Sequence, residues 1–458
     1  MIVMKFGGAS LKDAESVERA IEIIRGRLER RPVIVVSAMG KTTRGLLDAA
    51  EASAAHNSKS ALQAIAALEQ RHLEDVMLLI KAPASAAVAD AIDRNFRELE
   101  KLLGGLAILG TVPPRGLDRI LSYGEVVSSI IIEGAMAERG LPALLVDARK
   151  FIITDDRYGS ARPLFDETSR LISTLISPRI GEGLTPITQG FIGATREGVT
   201  TTLGFEGSDY TATIIGAALG ANDVEIWKEV SGLMTADPEV YSGVRTVKEC
   251  SYAEAAELTR FGAKVLHPKA IQPAAAKEIP VHIYNARKPD GSFTSVSGGA
   301  GASPSLLKSI TYIRPVSLIS VALDDLSGGG HASESSSLRA LTDLMERRTL
   351  APLILMVSGM NAVLVIEARL AEAAGRDMLE DLSRIGPIEI ENHKAIVTLV
   401  GEGLNLTSSV AAKVFCAIRD TTVDLMARGP SSMTMNLVVE EREVESVIAR
   451  LHKEFFES

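Results

Sequence analysis

Lys5, Gly7, Gly8 and Ser10 follow the mostly apolar run Met1-Ile-Val-Met4. The run reads as a short buried strand. Val17, Ala20, Ile21 and Ile24 then share one face of a helix. Such a loop suits an anion. Glycines let phosphate oxygens reach backbone N–H groups. A helix N-terminus adds partial positive charge and Lys5 a full one. The same residues also fit an ordinary strand–turn–helix with a surface lysine, so the loop alone does not decide its chemistry. A second candidate anion site lies at residues 200–211, where hydroxyls, glycines and Asp209 run into a small-residue helix. Asp209 there suits either a metal ion or the helix N-cap. Ser37, Thr42 and Thr43 sit in a polar loop after the apolar strand 32–36. Gly40-Lys41-Thr42 in that loop is not a P-loop, because the first glycine of the motif would fall at Val35, inside the strand. Glu125 lies among Val126, Val127, Ile130 and Ile131. It is either at the edge of a buried helical face or a fixed negative charge in a site.

The elements that must hold these residues alternate strand and helix through residue 285. That order predicts a mostly parallel sheet covered on both faces, with ligands beyond the carboxyl ends of its strands. Residues 46–109 read as a helical scaffold lobe. Residues 288–305, rich in Gly, Ser and Pro, read as a linker. Beyond them a βαββαβ pattern reads twice.

The 458 residues are too many for one typical domain. Hydrophobic residues at 46% and charged residues at 23% fit a globular protein. A net charge of −9 without a long basic run argues against nucleic acid. No apolar run reads as long enough for a bilayer, and the opening core strand does not resemble a secretory leader. Cys250 and Cys416 suggest neither a disulfide framework nor a thiolate metal site. These features point to a cytoplasmic protein with no membrane partner.

Taken in order, KFGGAS (5–10), SAMGKTTRGLL (37–47), SYGE (122–125), TDDRYGSAR (154–162), ITQGFIG (187–193), TTLGFEGSDYTA (201–212), VSGLMTADP (230–238) and FGAKVLHP (261–268) resemble the motifs of aspartate kinases. The resemblance spans nearly the whole chain. It implies an amino-acid-kinase fold over residues 1–296 and ACT-like regulatory domains over 309–386 and 387–458. The implied reaction moves the γ-phosphoryl group of ATP, with Mg²⁺, onto the side-chain carboxylate of L-aspartate. Its product, 4-phospho-L-aspartate, leads towards lysine, threonine and methionine. Phosphoryl transfer needs positioning and charge neutralisation more than a covalent nucleophile.

By the same resemblance Lys5 matches the phosphate-binding lysine and Asp209 a catalytic carboxylate in reach of Mg²⁺. Gly7, Gly8, Ser10 and Ser208 would line the phosphates. Ser37, Thr43, Glu125 and Arg162 match aspartate-binding positions, with Arg162 clasping the α-carboxylate and Glu125 accepting from the ammonium. Lys228, Glu229, Met234 and Asp237 match the nucleotide loop, and Lys264 lies near the nucleotide. The chain departs from the family at Ala9, Arg44, Glu229, Glu239 and the pair Phe205-Glu206, which stands where Arg-Gly is common. No fused homoserine dehydrogenase is expected.

Two other readings compete with this one. Another amino-acid kinase fits the tandem ACT-like tail and FGAKVLHP poorly. A catalytically weak relative that senses ligands through its ACT pair fits poorly with intact Lys5, Glu125, Arg162 and Asp209. Ser327-Gly-Gly-Gly-His-Ala-Ser-Glu-Ser-Ser-Ser337 stands where the family has a hydrophobic start to the first ACT unit. Three glycines supply no side chain to grip an effector, while Glu334 and the serines suit an ammonium group. The expectation is a homodimer inhibited weakly by lysine, with threonine the less favoured effector.

Overall fold

A computed structural model describes residues 1–263, 265–298, 307–323, 334–348, 350–402, 404, 408–429 and 433–457. Its contacts divide it into two compact units. One comprises Met1–Leu233, Lys248–Tyr252 and Val265–Gly301; the other Met234–Val247, Ala253–Lys264 and Ala302–Ser458. The segment 327–337, to which the effector expectation attached, lies largely outside the described residues, as does Lys264.

The strands of the first unit are β1 (Ile2–Phe6), β2 (Pro32–Val36), β3 (Ala143–Leu145), β4 (Thr185–Gln189), β5 (Ile192–Ala194), β6 (Thr200–Thr202), β7 (Val224–Lys228), β8 (Glu249–Ser251), β9 (Val281–Asn285) and β10 (Thr294–Ser297). Its helices include α1 (Ala14–Arg25), α2 (Thr42–Ala54), α3 (Ser58–Leu79), α4 (Ala84–Leu109), α5 (Pro114–Glu138), α6 (Phe165–Leu175), α7 (Ser177–Gly181) and α8 (Gly207–Leu219). α9 (Tyr252–Arg260) and α10 (Pro268–Ala275) follow β8. One sheet runs in the order β3-β4-β2-β1-β7-β9-β10-β8, and β5 pairs with β6 separately. The sheet's pairs are parallel except β9 with β10. The expected mostly parallel sheet is therefore present.

β1 lies mid-sheet and is buried along its length. The strand period of two sends Ile2, Met4 and Phe6 into a core with Val17, Ile21, Ile24 and Ile131. Val3 faces α8, where Gly216 lets that helix approach Val224 and Val3. Lys5 shares the Val3 face, so the pleat alone aims it at α8.

The structure corrects two sequence readings. The stretch read as a linker, 288–305, contains β10. Thr294 and Val296 are fully buried, and the strand joins β9 to β8. The expectation of no membrane-length apolar run overlooked α5, whose length and composition would suffice for a span. Its apolar side chains are buried in the first unit's core, and it carries Glu125. The helix expected after Ser10 is α1, with Val17, Ala20, Ile21 and Ile24 buried, and Gly8–Leu11 form a 3₁₀ turn before it.

The second unit holds β11 (Ser309–Ala322), α11 (Glu334–Arg347), β12 (Ile354–Ser358), β13 (Asn361–Glu367), α12 (Ala368–Ser383), β14 (Ile388–Val400), α13 (Ser408–Ala417), β15 (Leu425–Arg428), β16 (Thr434–Glu440) and α14 (Val444–His452). The sheet is antiparallel, ordered β12-β13-β11-β14-β16-β15. β11 and β14 are long, and each serves both repeats. Residues 318–321 of β11 pair with 388–391 of β14, giving the first repeat its fourth strand. Residues 309–313 of β11 pair with 396–400 of β14, giving the second repeat its fourth strand. A register shift between Ile313 and Val316 separates the two stretches. The repeats thus form one sheet, with a core on 319–382 and another on 395–451.

Candidate active site

Lys5 reaches from β1 to Asp209 on α8, with Nζ 2.6 Å from Oδ1. Lys228, the last residue of β7, lies 2.9 Å from Oδ2 of the same carboxylate. Asp209 is 1% exposed. Burial alone would raise its pKa, but the ammonium groups of Lys228 and Lys5 outweigh burial and hold the carboxyl below its usual range. Burial would lower Lys228, yet Asp209 and then Glu206 hold its ammonium above the ordinary lysine range. Lys228 Nζ also lies 3.3 Å from Glu206 Oε1 and donates to the carbonyl of Val265. These charges form one chain of alternating sign, Lys5–Asp209–Lys228–Glu206.

Adjacent loops close around this chain. The first turn of α8 presents Gly207 and Ser208, so α8 rather than α1 brings its N-terminus to the site. The α1 terminus is already satisfied, since Asp13 accepts from Ser16 N–H and Asp75 from Ala14 N–H. A Cβ on Gly190 would lie 2.5 Å from that of Ser208, so only a glycine there lets α8 begin where it does. A Cβ on Gly8 would lie 2.6 Å from the Ala38 carbonyl oxygen, so that glycine docks the first loop on the 37–40 loop.

A cavity of about 540 Å³ opens over these residues. Lys5, Gly8, Ser37, Thr43, Glu125, Ser208, Asp209 and Lys228 all line it. In the same lining, Glu125 Oε1 accepts from Ala38 N–H at 3.2 Å. Its Oε2 is buried with no hydrogen-bond partner among the described residues. Burial pushes this carboxyl up to about 8, against the Ala38 N–H and the Lys5 charge.

Other expected residues are not in the lining. Gly7 N–H and Ser10 Oγ both donate to the Trp227 carbonyl, at 3.0 and 3.3 Å, so they tie β1's loop to β7. The Arg162 side chain is exposed and makes no ion pair among the described residues. Glu229 pairs with Arg287 at 2.7 Å. Met234 and Asp237 fall in the second unit, where Asp237 Oδ2 accepts from Tyr312 at 3.3 Å.

Sequence reasoning passed over Asp118, at the head of SYGE's helix. It is 1% exposed and lines the cavity. Its oxygens accept from Gly159 N–H (2.9 and 3.0 Å), Thr202 N–H (2.8 Å) and Thr202 Oγ1 (2.7 Å). Burial raises its pKa, and these donors oppose the rise. Asp118 therefore pins the 155–162 loop and β6 to α5. Its acidic type beside Arg119 was the available signal, but its three partners are remote in sequence.

Two lysines held around one ionised carboxylate, with a helix N-terminus beside them, form a site for a polyanionic phosphate chain. A carboxylate in the same lining with one unpartnered oxygen suits an ammonium. A model of the amino acid kinase family matches residues 1–285, and an ACT domain model matches 397–455. The lysine-sensitive aspartokinase 3 of Escherichia coli K12 is 31% identical, covering 100% of this chain and 99% of the relative. The chain belongs to the aspartokinase family. Aspartokinase 1 of Arabidopsis thaliana, a chloroplastic protein, is also 31% identical, over 100% of this chain and 80% of its own length. The structure of E. coli aspartokinase III with aspartate and ADP (R-state) matches with a TM-score of 0.88 at 29% identity, covering 100% of both chains. The same enzyme with lysine and aspartate (T-state) matches at 0.80 and 28% identity, covering 100% of this chain and 99% of that one.

Proposed function

We infer that this aspartokinase transfers the γ-phosphoryl group of ATP to the side-chain carboxylate of L-aspartate in the cavity between Glu125 and the Lys5–Asp209–Lys228 chain. The observation carrying this reading is that one cavity is lined both by two lysines around an ionised carboxylate and by an unpartnered Glu125 oxygen. The acceptor carboxylate is ionised near neutral pH and needs no strong base. Lys5 and Lys228 neutralise charge on the transferring group, and the α8 terminus at Gly207 and Ser208 holds its oxygens. Glu125 accepts from the substrate ammonium, and Ser37 and Thr43 orient the acceptor. Asp209 keeps both lysines in place.

The donor set also fits Mg²⁺ brought in by the nucleotide. Among the described residues no cluster of three or more His, Cys, Asp or Glu forms a resident metal site. Mg²⁺ commonly takes one carboxylate with substrate phosphates, and Asp209 would be that carboxylate here. When bound, the ion offsets charge on the phosphates. An ATP- and aspartate-dependent hydroxamate assay on the purified chain tests the whole reading. Turnover with glutamate but not aspartate would overturn it.

Regulation by lysine is supported by the ACT-type sheet together with the likeness to E. coli aspartokinase III bound to lysine and aspartate, and a homodimer with weak inhibition is the state we propose. Activity titrated with lysine and threonine, alongside sedimentation, tests both parts. Tight inhibition by threonine alone would refute the choice of lysine, and a fully active monomer would refute the dimer.

A further inference from the structure

We propose that Arg71, on α3 of the helical lobe, is a positioning residue for the transfer: its guanidinium sets the 37–43 loop from behind and, through that loop, the cavity residues Ser37, Gly40 and Thr43. The proposal rests on the kinase reading and gives a part in it to the lobe, which the sequence presents only as scaffold.

Ser37, Ala38, Gly40 and Thr43 line the cavity. Met39 and Thr42, which alternate with them, are buried outside the lining at 0% and 2% exposure. Arg71 Nη2 donates to the Met39 carbonyl at 3.3 Å and to Thr42 Oγ1 at 2.6 Å. Thr42 Oγ1 gives its own hydrogen to the same Met39 carbonyl. A Cβ on Gly40 would lie 3.5 Å from Arg71 Nη1, so the guanidinium sits against the turn itself. Gly40 holds φ 55 there, the left-handed conformation that glycine adopts at little cost.

The acceptors that hold this half-buried cation belong to the loop. Its Nε is buried with no hydrogen-bond partner among the described residues. Asp75, one turn along α3, favours the charge, but its Oδ1 accepts from Ala14 N–H at 2.9 Å. A buried cation without hydrogen bonds is costly, so guanidinium and loop fix each other. The planar fork suits two acceptors at once in a way that an ammonium does not.

The loop's other ties run to cavity residues. Gly40 N–H donates to the Gly8 carbonyl at 2.9 Å, and Ala38 N–H donates to Glu125 at 3.2 Å. Without Arg71 the loop keeps these ties and loses its backing. Ser37 and Thr43 then lose their aim at the acceptor, and a shift of about 1 Å in such groups can cost on the order of a hundredfold in rate. The phosphate end is fixed independently. Gly7 and Ser10 tie the β1 loop to β7, and Asp209 holds Lys5 and Lys228.

The experiment measures kcat and the KM values for Mg·ATP and L-aspartate, by ADP release, in the wild type, Arg71→Met and Arg71→Lys. Urea midpoints are followed alongside. Arg71→Met keeps the stem and removes the fork, so aspartate KM should rise and kcat fall by about tenfold or more each, with the Mg·ATP KM within about threefold of wild type. Arg71→Lys should fall between the two. Methylguanidinium should restore activity to Arg71→Ala where methylammonium at equal ionic strength does not. An Arg71→Met that loses stability yet keeps the wild-type kcat and both KM values overturns the proposal and leaves Arg71 as scaffold. If Arg71→Met does not fold, a wild-type aspartate KM in Arg71→Lys overturns it. An equal rise in both KM values overturns the assignment to the 37–43 loop. No ATP-dependent turnover of aspartate by the wild type overturns the kinase reading and this proposal together.

Discussion

Replacing Glu125 by Gln should make the protein more stable and a poorer aspartate binder at once. The carboxyl is fully buried, and burial pushes its pKa up to about 8 in the fold from an ordinary 4.5. Between these values the unfolded chain has lost the proton and the native chain has kept it. Stability therefore falls as pH rises through this window, and above about 8 the loss is complete. At 1.36 kcal/mol per unit, the native state gives up on the order of 3 kcal/mol by pH 7 and on the order of 5 by pH 8. Gln keeps the oxygen that accepts from Ala38 N–H and has no proton to lose, so the variant should gain stability by these amounts and match wild type near pH 4.5. Aspartate binding moves the other way. A hydrogen bond to a charged group contributes about 1.5–3 kcal/mol, so aspartate KM should rise roughly 10- to 100-fold. Wild-type affinity should also climb with pH up to about 8, because Glu125 must ionise to meet the ammonium, and Gln should abolish that slope. Urea unfolding is readable from Trp227, the chain's single tryptophan, which is fully buried in β7. A Gln variant less stable than wild type at pH 8, or one with unchanged aspartate KM, would refute the reasoning.

Lys5→Ala and Asp209→Asn should each lower kcat by about two to three decades, since each removes charge organised around the transferring phosphoryl group. Near-normal turnover with native circular dichroism would remove that residue from the mechanism. Asp118→Asn turns an amide donor towards the N–H groups of Gly159 and Thr202, so stability should drop by about 1–3 kcal/mol and aspartate KM should rise as the 155–162 loop loosens. Equal kinetics in both proteins would show that Asp118 does not position the site. His72 is buried, and burial lowers its pKa from 6.5 to about 4. The unfolded chain takes up a proton first as pH falls, so stability declines between 6.5 and 4, by about 3 kcal/mol in total. His72→Gln should flatten that limb of the pH–stability curve, and an unflattened limb would assign the acid sensitivity elsewhere.

The parallel sheet was legible because strands alternate with helices and β2 reads as a continuous apolar run, as a strand buried on both faces does. Lys5 and Asp209 were legible as separate anion sites, since each ends a strand or opens a helix. Their contact with each other, and with Lys228, required three chain segments to meet. The hydrogen bonds of Gly7 and Ser10 to the Trp227 carbonyl were not legible, because a backbone carbonyl leaves no trace in a sequence. β10 was missed because Gly and Ser around it mask a four-residue alternation of buried Thr294 and Val296. Phe205-Glu206 stood out as a departure, yet its electrostatic consequence emerged only with Lys228 beside Glu206.

The long strands β11 and β14 bear on how the C-terminal unit can be dissected. Each ACT-like repeat borrows its fourth strand from the first strand of the other, so neither is a separable cassette. A cut between residues 386 and 387 would strip residues 318–321 of their neighbours at 388–391 and 396–400 of theirs at 309–313. Two sheet edges would then be bare, and exposed edges of this kind invite pairing between molecules. The two repeats must be inherited, exchanged or transplanted as a pair.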